Sequence, residues 1–406
     1  MQKFKNILIG FVLFFFIYLE PIYIGPVKWG QIWKGLFCVF AILYVILKKV
    51  KAPKFIYIYY FITFLSLINT SIFSYPIETI SVTLKILLFP LTYHFFLSLN
   101  LQRSKYFSML RYFVFFTSYS CLIFHFKILS PLTKGYDVAL YGGDSEGFST
   151  IFQTVHSTAI LLTFSLCYLI YELFYFNKKM SLLTKFHYIL NLLILFYSVY
   201  LTYVRTALLI LVTGLFFIFI YKQKIKNLGR IITVFTIIGF FFLFKFNTDE
   251  GFRNRLIGKT IYDDKKVVDT NTISSGRLKI WETSFKSWSE NNNILEILLG
   301  IGENELMERN NKYIGFRVFS HNGFIDILVQ NGLISFLFYI MFLFNFNKNI
   351  KHPFIKEGKL IIIAFFYMYL TMMFVQGGQE VYTMLLINLV LLAFGITKTK
   401  YNINKV

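Results

Sequence analysis

The stretch FIYIYYFITFLSLINTSIF, residues Phe55–Phe73, runs for 19 residues without a charge. As an α-helix it would rise about 28 Å, close to the ~30 Å hydrocarbon core of a bilayer, and a span needs roughly 17–25 such residues. Lys48, Lys49, Lys51 and Lys54 stand just before it. Basic residues beside an apolar run mark the cytoplasmic end of a membrane helix, where anionic lipid attracts them. The rest of the chain repeats this unit. Further apolar runs lie near 7–24, 30–47, 80–98, 107–129, 156–176, 186–204, 206–221, 231–246, 323–344, 359–375 and 382–396. The fold class that follows is an all-α polytopic membrane bundle of about twelve spans. Runs 186–204 and 206–221 part only around Arg205, so they read either as two spans or as one long broken helix.

Composition agrees. The chain is 56% hydrophobic and 20% aromatic, with only 15% charged residues, where soluble domains carry about a quarter. The net charge of +21 invites a nucleic-acid partner, and its distribution excludes one. The cations sit in short clusters between apolar runs, as basic loops beside lipid require. Counting those clusters puts both termini in the cytoplasm. It leaves Arg205, loop 130–155 and loop 247–322 outside. Run 7–24 reads as the first helix of a series rather than a cleaved signal peptide. Cys38, Cys121 and Cys167 fall inside apolar runs, with no spacing that suggests a disulfide framework or a zinc site.

Three regions follow: an N-terminal bundle over 1–246, an outer loop over 247–322 and a C-terminal bundle over 323–406. The loop carries 11 basic and 11 acidic residues, unlike the basic inner loops. Within it, SSGRLKIWETSFKSWSE places Leu278, Trp281, Phe285 and Trp288 at helical spacing. An amphipathic helix capped by Ser274 or Ser275, with tryptophans on one face, suits the membrane interface. NILEILLGIGENEL predicts a short apolar helix stopped at Gly300 and Gly302.

Unusual polar groups gather on the outer side. Arg205 interrupts an apolar stretch, either snorkelling to headgroups or offering a forked contact to phosphate. Arg277 falls in the first turn of the amphipathic helix, where the dipole disfavours a cation; it is either solvated or set to meet an anion. In SHNGFIDILVQNG, Ser320 or Asn322 can cap a helix. A helix N-terminus lowers the pKa of His321, leaving a neutral imidazole able to take a proton. Asn322, Asp326 and Gln330 form one polar stripe that must face protein or a wet cavity. Asp263 and Asp264 read as a solvated turn rather than a metal site. No Walker loop or HExxH motif is present.

TYVRTALLIL, SGRLKIWETS, LLGIGENE and SHNGFIDILVQNGLISFLF, in this order, resemble the O-antigen ligase/polymerase superfamily of bacterial membrane glycosyltransferases. The resemblance is firmest over Thr202–Phe338. EGFSTIFQTVHSTAILL adds a looser echo that brings in His156 and Ser157. The resemblance implies a membrane glycosyltransferase C type fold and metal-independent, cofactor-free inverting transfer. The donor it implies is a glycan on undecaprenyl pyrophosphate, and the acceptor a sugar hydroxyl. On that reading Arg205 and Arg277 bind the pyrophosphate, His321 takes or orients the acceptor proton, and Asn322 positions the helix mouth. Lys85, His156 and Asp326 join the substrate-binding set. The implied setting is the outer face of the bacterial cytoplasmic membrane, with membrane lipid, a flippase and a chain-length regulator as partners.

Polymerase and ligase share these motifs, and the expectation favours a polymerase of repeat units for O-antigen or capsule. A polysaccharide transporter is the lesser reading, because flippases of this size show paired halves or ionisable residues near the midplane.

Overall fold

The computed structural model describes residues 23–24, 27–73, 76–128, 147–150, 154–176, 180–219, 228–257, 277–315, 317–350, 358–377 and 381–395. A two-residue antiparallel pair, Tyr23–Ile24 with Val27–Lys28, precedes the first described helix. The helices are α1 (Trp29–Lys48), α2 (Lys54–Phe73), α3 (Pro76–Ser98), α4 (Arg103–His125), α5 (Val155–Phe176), α6 (Leu182–Leu201), α7 (Arg205–Phe219), α8 (Leu228–Thr248) and α9 (Glu250–Ile257). They continue with α10 (Arg277–Ser289), α11 (Ile294–Leu299), α12 (Gly302–Ile314), α13 (Gly323–Ile350), α14 (Lys359–Val375) and α15 (Val381–Phe394). Eleven of the expected apolar runs coincide with helices among the described residues. Residues 7–22 of the first run lie outside them. The protein is thus an all-α, multi-pass membrane protein.

The chain forms two compact units. One comprises 1–113, 279–362 and 372–406; the other comprises 114–278 and 363–371. In the first, α2 packs against α3 and α13, and both α1 and α15 pack against α3. Its centre is aromatic: Phe55 meets Phe346 at 5.2 Å, and Tyr59 meets Phe342 at 4.9 Å and Phe89 at 5.0 Å. Lipid supplies no hydrophobic drive between helices, so this interlocking of ring faces and edges carries the association. Pro90 lies inside α3. There Asn388 of α15 donates to the Phe89 carbonyl at 2.8 Å and bonds Thr92 Oγ1 at 2.7 Å, as buried polar groups in a membrane require.

In the second unit α5 is the central helix. Both α6 and α7 pack on it, and it is buried from Ser157 to Glu172. Tyr188 of α6 donates to the buried Glu172 carboxylate. The apolar side chains left exposed on α6, such as Leu183 and Leu193, face outward as lipid contact requires.

Helices α10 to α12 are joined by polar groups as well as by a small apolar cluster, in which Trp288 packs against Ile301, Leu306 and Val329. Arg309 donates to Glu305 at 2.8 Å, to Glu296 at 2.8 Å and to the Ser287 carbonyl at 3.0 Å. Ser284 and Asn310 exchange hydrogen bonds, and Trp288 Nε1 donates to the Ile297 carbonyl at 3.1 Å. The face of α10 that packs inward is Ile280, Thr283, Ser284 and Ser287. Sequence periodicity singled out the other face, and there Leu278 and Phe285 stand exposed. Trp281 leaves that stripe to meet the ring of Phe374 at 5.4 Å.

Burial raises the Glu296 carboxyl, yet hydrogen bonds from Asn291, Arg309 and Asn293 outweigh it and hold the group below its ordinary value. A depressed carboxylate stabilises the fold above its unfolded-state value and loses that contribution as pH falls through the lower folded one. Amide protection factors across 287–312, corrected for the intrinsic pH dependence of exchange, are therefore expected to fall below about pH 4 in wild type. Glu296→Gln removes this titration, so an identical acid response in that variant would refute the assignment.

Candidate active site

The α6 to α7 connection is two separate helices rather than one broken rod. Tyr203 lies at φ +54°, a left-handed conformation uncommon for a bulky residue. The Thr202 hydroxyl donates to the Val199 carbonyl at 2.7 Å and accepts from Val204 N at 3.4 Å. Thr202, Tyr203 and Val204 are all buried. Arg205 is consequently the first residue of α7 and is only partly exposed.

Val155 and Ala159 of α5 pack against Val204 and Ala207, so the two helices start side by side. Arg205 opens one and His156 lies in the first turn of the other. Thr154 caps α5, its hydroxyl accepting from Ser157 N at 3.0 Å. Two helix N-terminal turns, the positive ends of backbone dipoles, thus lie side by side, one carrying an arginine and the other a histidine. Segment 147–150 is secured over the end of α6. Phe148 N donates to the Leu201 carbonyl at 2.9 Å, and its ring stacks on His125 at 4.2 Å.

The His–Asn motif has its own geometry. His321 lies at φ +54°, which histidine tolerates better than most side chains. Asn322 caps α13, with Oδ1 accepting from Phe324 N at 3.0 Å and Ile325 N at 3.2 Å. Asp326 Oδ1 accepts from Ser320 Oγ at 2.6 Å and Ser320 N at 3.1 Å. Ser320 Oγ in turn accepts from Asn322 N at 3.0 Å. The turn is closed on both sides of the histidine. His321 stays partly exposed while Ser320 and Asn322 are buried.

Helix α13 is not continuous. Gly332 sits at φ 78°, ψ 173°, a backbone region essentially confined to glycine. Asn322, Asp326 and Gln330 all precede this break, and 333–350 suffices alone for a short span. At the break, Ile301 N, between α11 and α12, donates to the Val329 carbonyl at 2.9 Å.

Arg277 is the first described residue of α10 and is partly exposed. Its expected caps Ser274 and Ser275, the pair Asp263 and Asp264, and the side chain of Lys85 lie outside the described residues.

Two participants went unnoticed in the sequence. Gly377, at φ +65°, comes so close that a Cβ there would be 2.8 Å from Asp326 Oδ2 and 2.9 Å from Asn322 N. Its signal was the Gly–Gly pair between the last two apolar runs. The other is Asp249, which bonds the phenols of Tyr200 and Tyr203; one acid at the end of an apolar run gave no sign of it. Among the described residues, no group of three or more His, Cys, Asp or Glu side chains is gathered for a metal ion.

Residues 190–340, from within α6 to within α13, match the protein-family model described as O-antigen ligase. No curated protein matches the chain.

Proposed function

From the match of residues 190–340 to the O-antigen ligase family model, we propose that the chain is a member of the O-antigen ligase/polymerase superfamily and a polymerase of undecaprenyl-pyrophosphate-linked repeat units. It would extend O-antigen or capsular polysaccharide at the outer face of the cytoplasmic membrane. The observation that supports the glycosyl-transfer part of this reading is the family match, which encloses Arg205, Arg277 and His321 in one segment.

The chemistry is an inverting displacement at the anomeric carbon. The acceptor hydroxyl oxygen forms the new glycosidic bond as the bond from that carbon to the phosphate oxygen breaks. His321 receives the hydroxyl proton, and the electron pair leaves on undecaprenyl pyrophosphate. Developing charge on a pyrophosphate calls for fixed cations more than for an acid, the role of Arg205 and Arg277. His156 and Lys85 add substrate contacts. Asn322 and Asp326 serve the substrate through the turn they shape around His321. Membrane lipid surrounds the site, a flippase delivers the donor, and a chain-length regulator acts on the product.

Arg205→Lys keeps the charge and loses the planar fork. The expected result is a fall in polymer formation of about 10- to 100-fold at matched expression. Wild-type polymer from that variant would remove Arg205 from the mechanism.

The family description favours a second reading, an O-antigen ligase that moves a finished glycan to its final acceptor. Glycan gels from a deletion strain and its complemented counterpart separate the two. Single repeat units in the deletion strain, with a ladder restored on complementation, support the polymerase. Long lipid-linked chains that never reach their acceptor support the ligase. An unchanged ladder on deletion refutes both.

A further inference from the structure

We propose that Asp249 is a positioning residue for Arg205, acting through the phenols of Tyr200 and Tyr203. This rests on the pyrophosphate-binding role given to Arg205 above.

Asp249 links α8 to α9, and its two carboxylate oxygens are used differently. Oδ1 accepts from Phe252 N at 2.9 Å and so caps α9. Oδ2 accepts from Tyr200 and also from Tyr203, the latter at 3.2 Å. A helix cap needs only the first oxygen. The second holds the two tyrosines nearest the corner, one on the last turn of α6 and one in the left-handed turn itself.

The rings are fixed as well. Tyr200 and Tyr203 pack with Phe252, and Leu208, Phe241, Phe242 and Leu256 close around them. Lys245 Nζ lies over the Tyr200 ring at 5.1 Å. Tyr203 is two residues before Arg205, so its backbone torsion sets the direction in which α7 departs. A left-handed bulky residue persists only when its surroundings over-determine it. Here a half-buried carboxylate from a distant part of the chain does so. Charge-assisted bonds of this kind are the strong ones.

The chemistry separates holding from capping. Asp249→Asn retains an oxygen that caps as well as aspartate does, but offers an amide donor where two phenols need an acceptor. The Tyr200→Phe, Tyr203→Phe double variant leaves the carboxylate and the rings in place and removes only the hydroxyls.

The test is the Kd of the full-length protein in nanodiscs for undecaprenyl pyrophosphate, measured in the wild-type and Arg205→Ala backgrounds. Asp249→Asn and the double tyrosine variant are each expected to weaken binding roughly tenfold when Arg205 is present. They are expected to change it less than about twofold when Arg205 is already alanine. A merely structural role would weaken binding by the same factor in both backgrounds, and that result overturns the proposal. So does wild-type affinity in both holding variants while Arg205→Ala weakens binding. If Arg205→Ala leaves Kd unchanged, the assignment of Arg205 fails and this inference fails with it. Where Asp249→Asn folds poorly, the tyrosine variant decides on the same terms.

Discussion

His321→Gly is expected to abolish polymer formation, with a loss of about 10²- to 10⁴-fold, the usual scale for a general base. Glycine is the decisive replacement because of the backbone. At φ +54° an alanine adds strain of its own, roughly 1–2 kcal/mol, so His321→Ala mixes a lost imidazole with a disturbed turn. Glycine occupies that torsion freely and removes only the ring. The turn has independent support from Asn322, Ser320 and Asp326, so it persists in the glycine variant. Turnover of lipid-linked repeat units by purified protein is the measurement, with thermal stability followed in parallel. Full activity in His321→Gly would reduce the histidine to a residue that fills a left-handed corner. Recovery in His321→Asn alone would make it a hydrogen-bond partner rather than a base.

Gly332→Ala is expected to be the most damaging change outside the candidate catalytic groups. A Cβ there would lie 2.3 Å from the Leu298 carbonyl oxygen and 2.4 Å from Gly300 N. Both are backbone atoms of the facing segment, so no flexible side chain can give way. Gly300 is the mirror of this contact, with a Cβ predicted to meet Gln330 O at 2.2 Å and Gly332 N at 2.5 Å. Its torsions, φ 89° and ψ 173°, are of the same glycine-only type. Strain and overpacking each cost about 1–3 kcal/mol, so a loss of roughly 2–6 kcal/mol follows if they add. The α11–α12 segment would separate from α13, breaking the bond from Ile301 N to Val329 O. A thermal shift in detergent and faster exchange at Ile301 measure this. An unshifted melting temperature would show that the junction relaxes without cost.

Much of the architecture was written locally. A run such as Phe55–Phe73 leaves its backbone no hydrogen-bond partner but itself once it enters lipid. Helix placement therefore followed apolar length alone, and α14 begins and ends where its run does. Gly300 likewise stopped α11 as its sequence required. Helices α10 to α12 were less legible. Periodicity found the apolar face of α10, but α10 buries its small polar face, because the partner waiting there is Asn310. That partner is 26 residues away, and no local pattern announces it.

The same division runs through the candidate site. Arg205, His321 and Asn322 stood out as polar groups at the edges of apolar runs, where burying an unpaired charge is costly, and Arg277 as a cation in a helix's first turn. That cost is a property of composition and order, so the sequence by itself determined the membrane bundle and the polar candidates for its chemistry. Only the tertiary structure decided how the groups are held. It brought Asp249 to Tyr200 and Tyr203, set Gly377 against the His–Asn turn, and broke α13 at Gly332 to admit the end of α11. Those arrangements depend on close approach between segments far apart in the chain, and such approaches leave no periodic trace in the sequence.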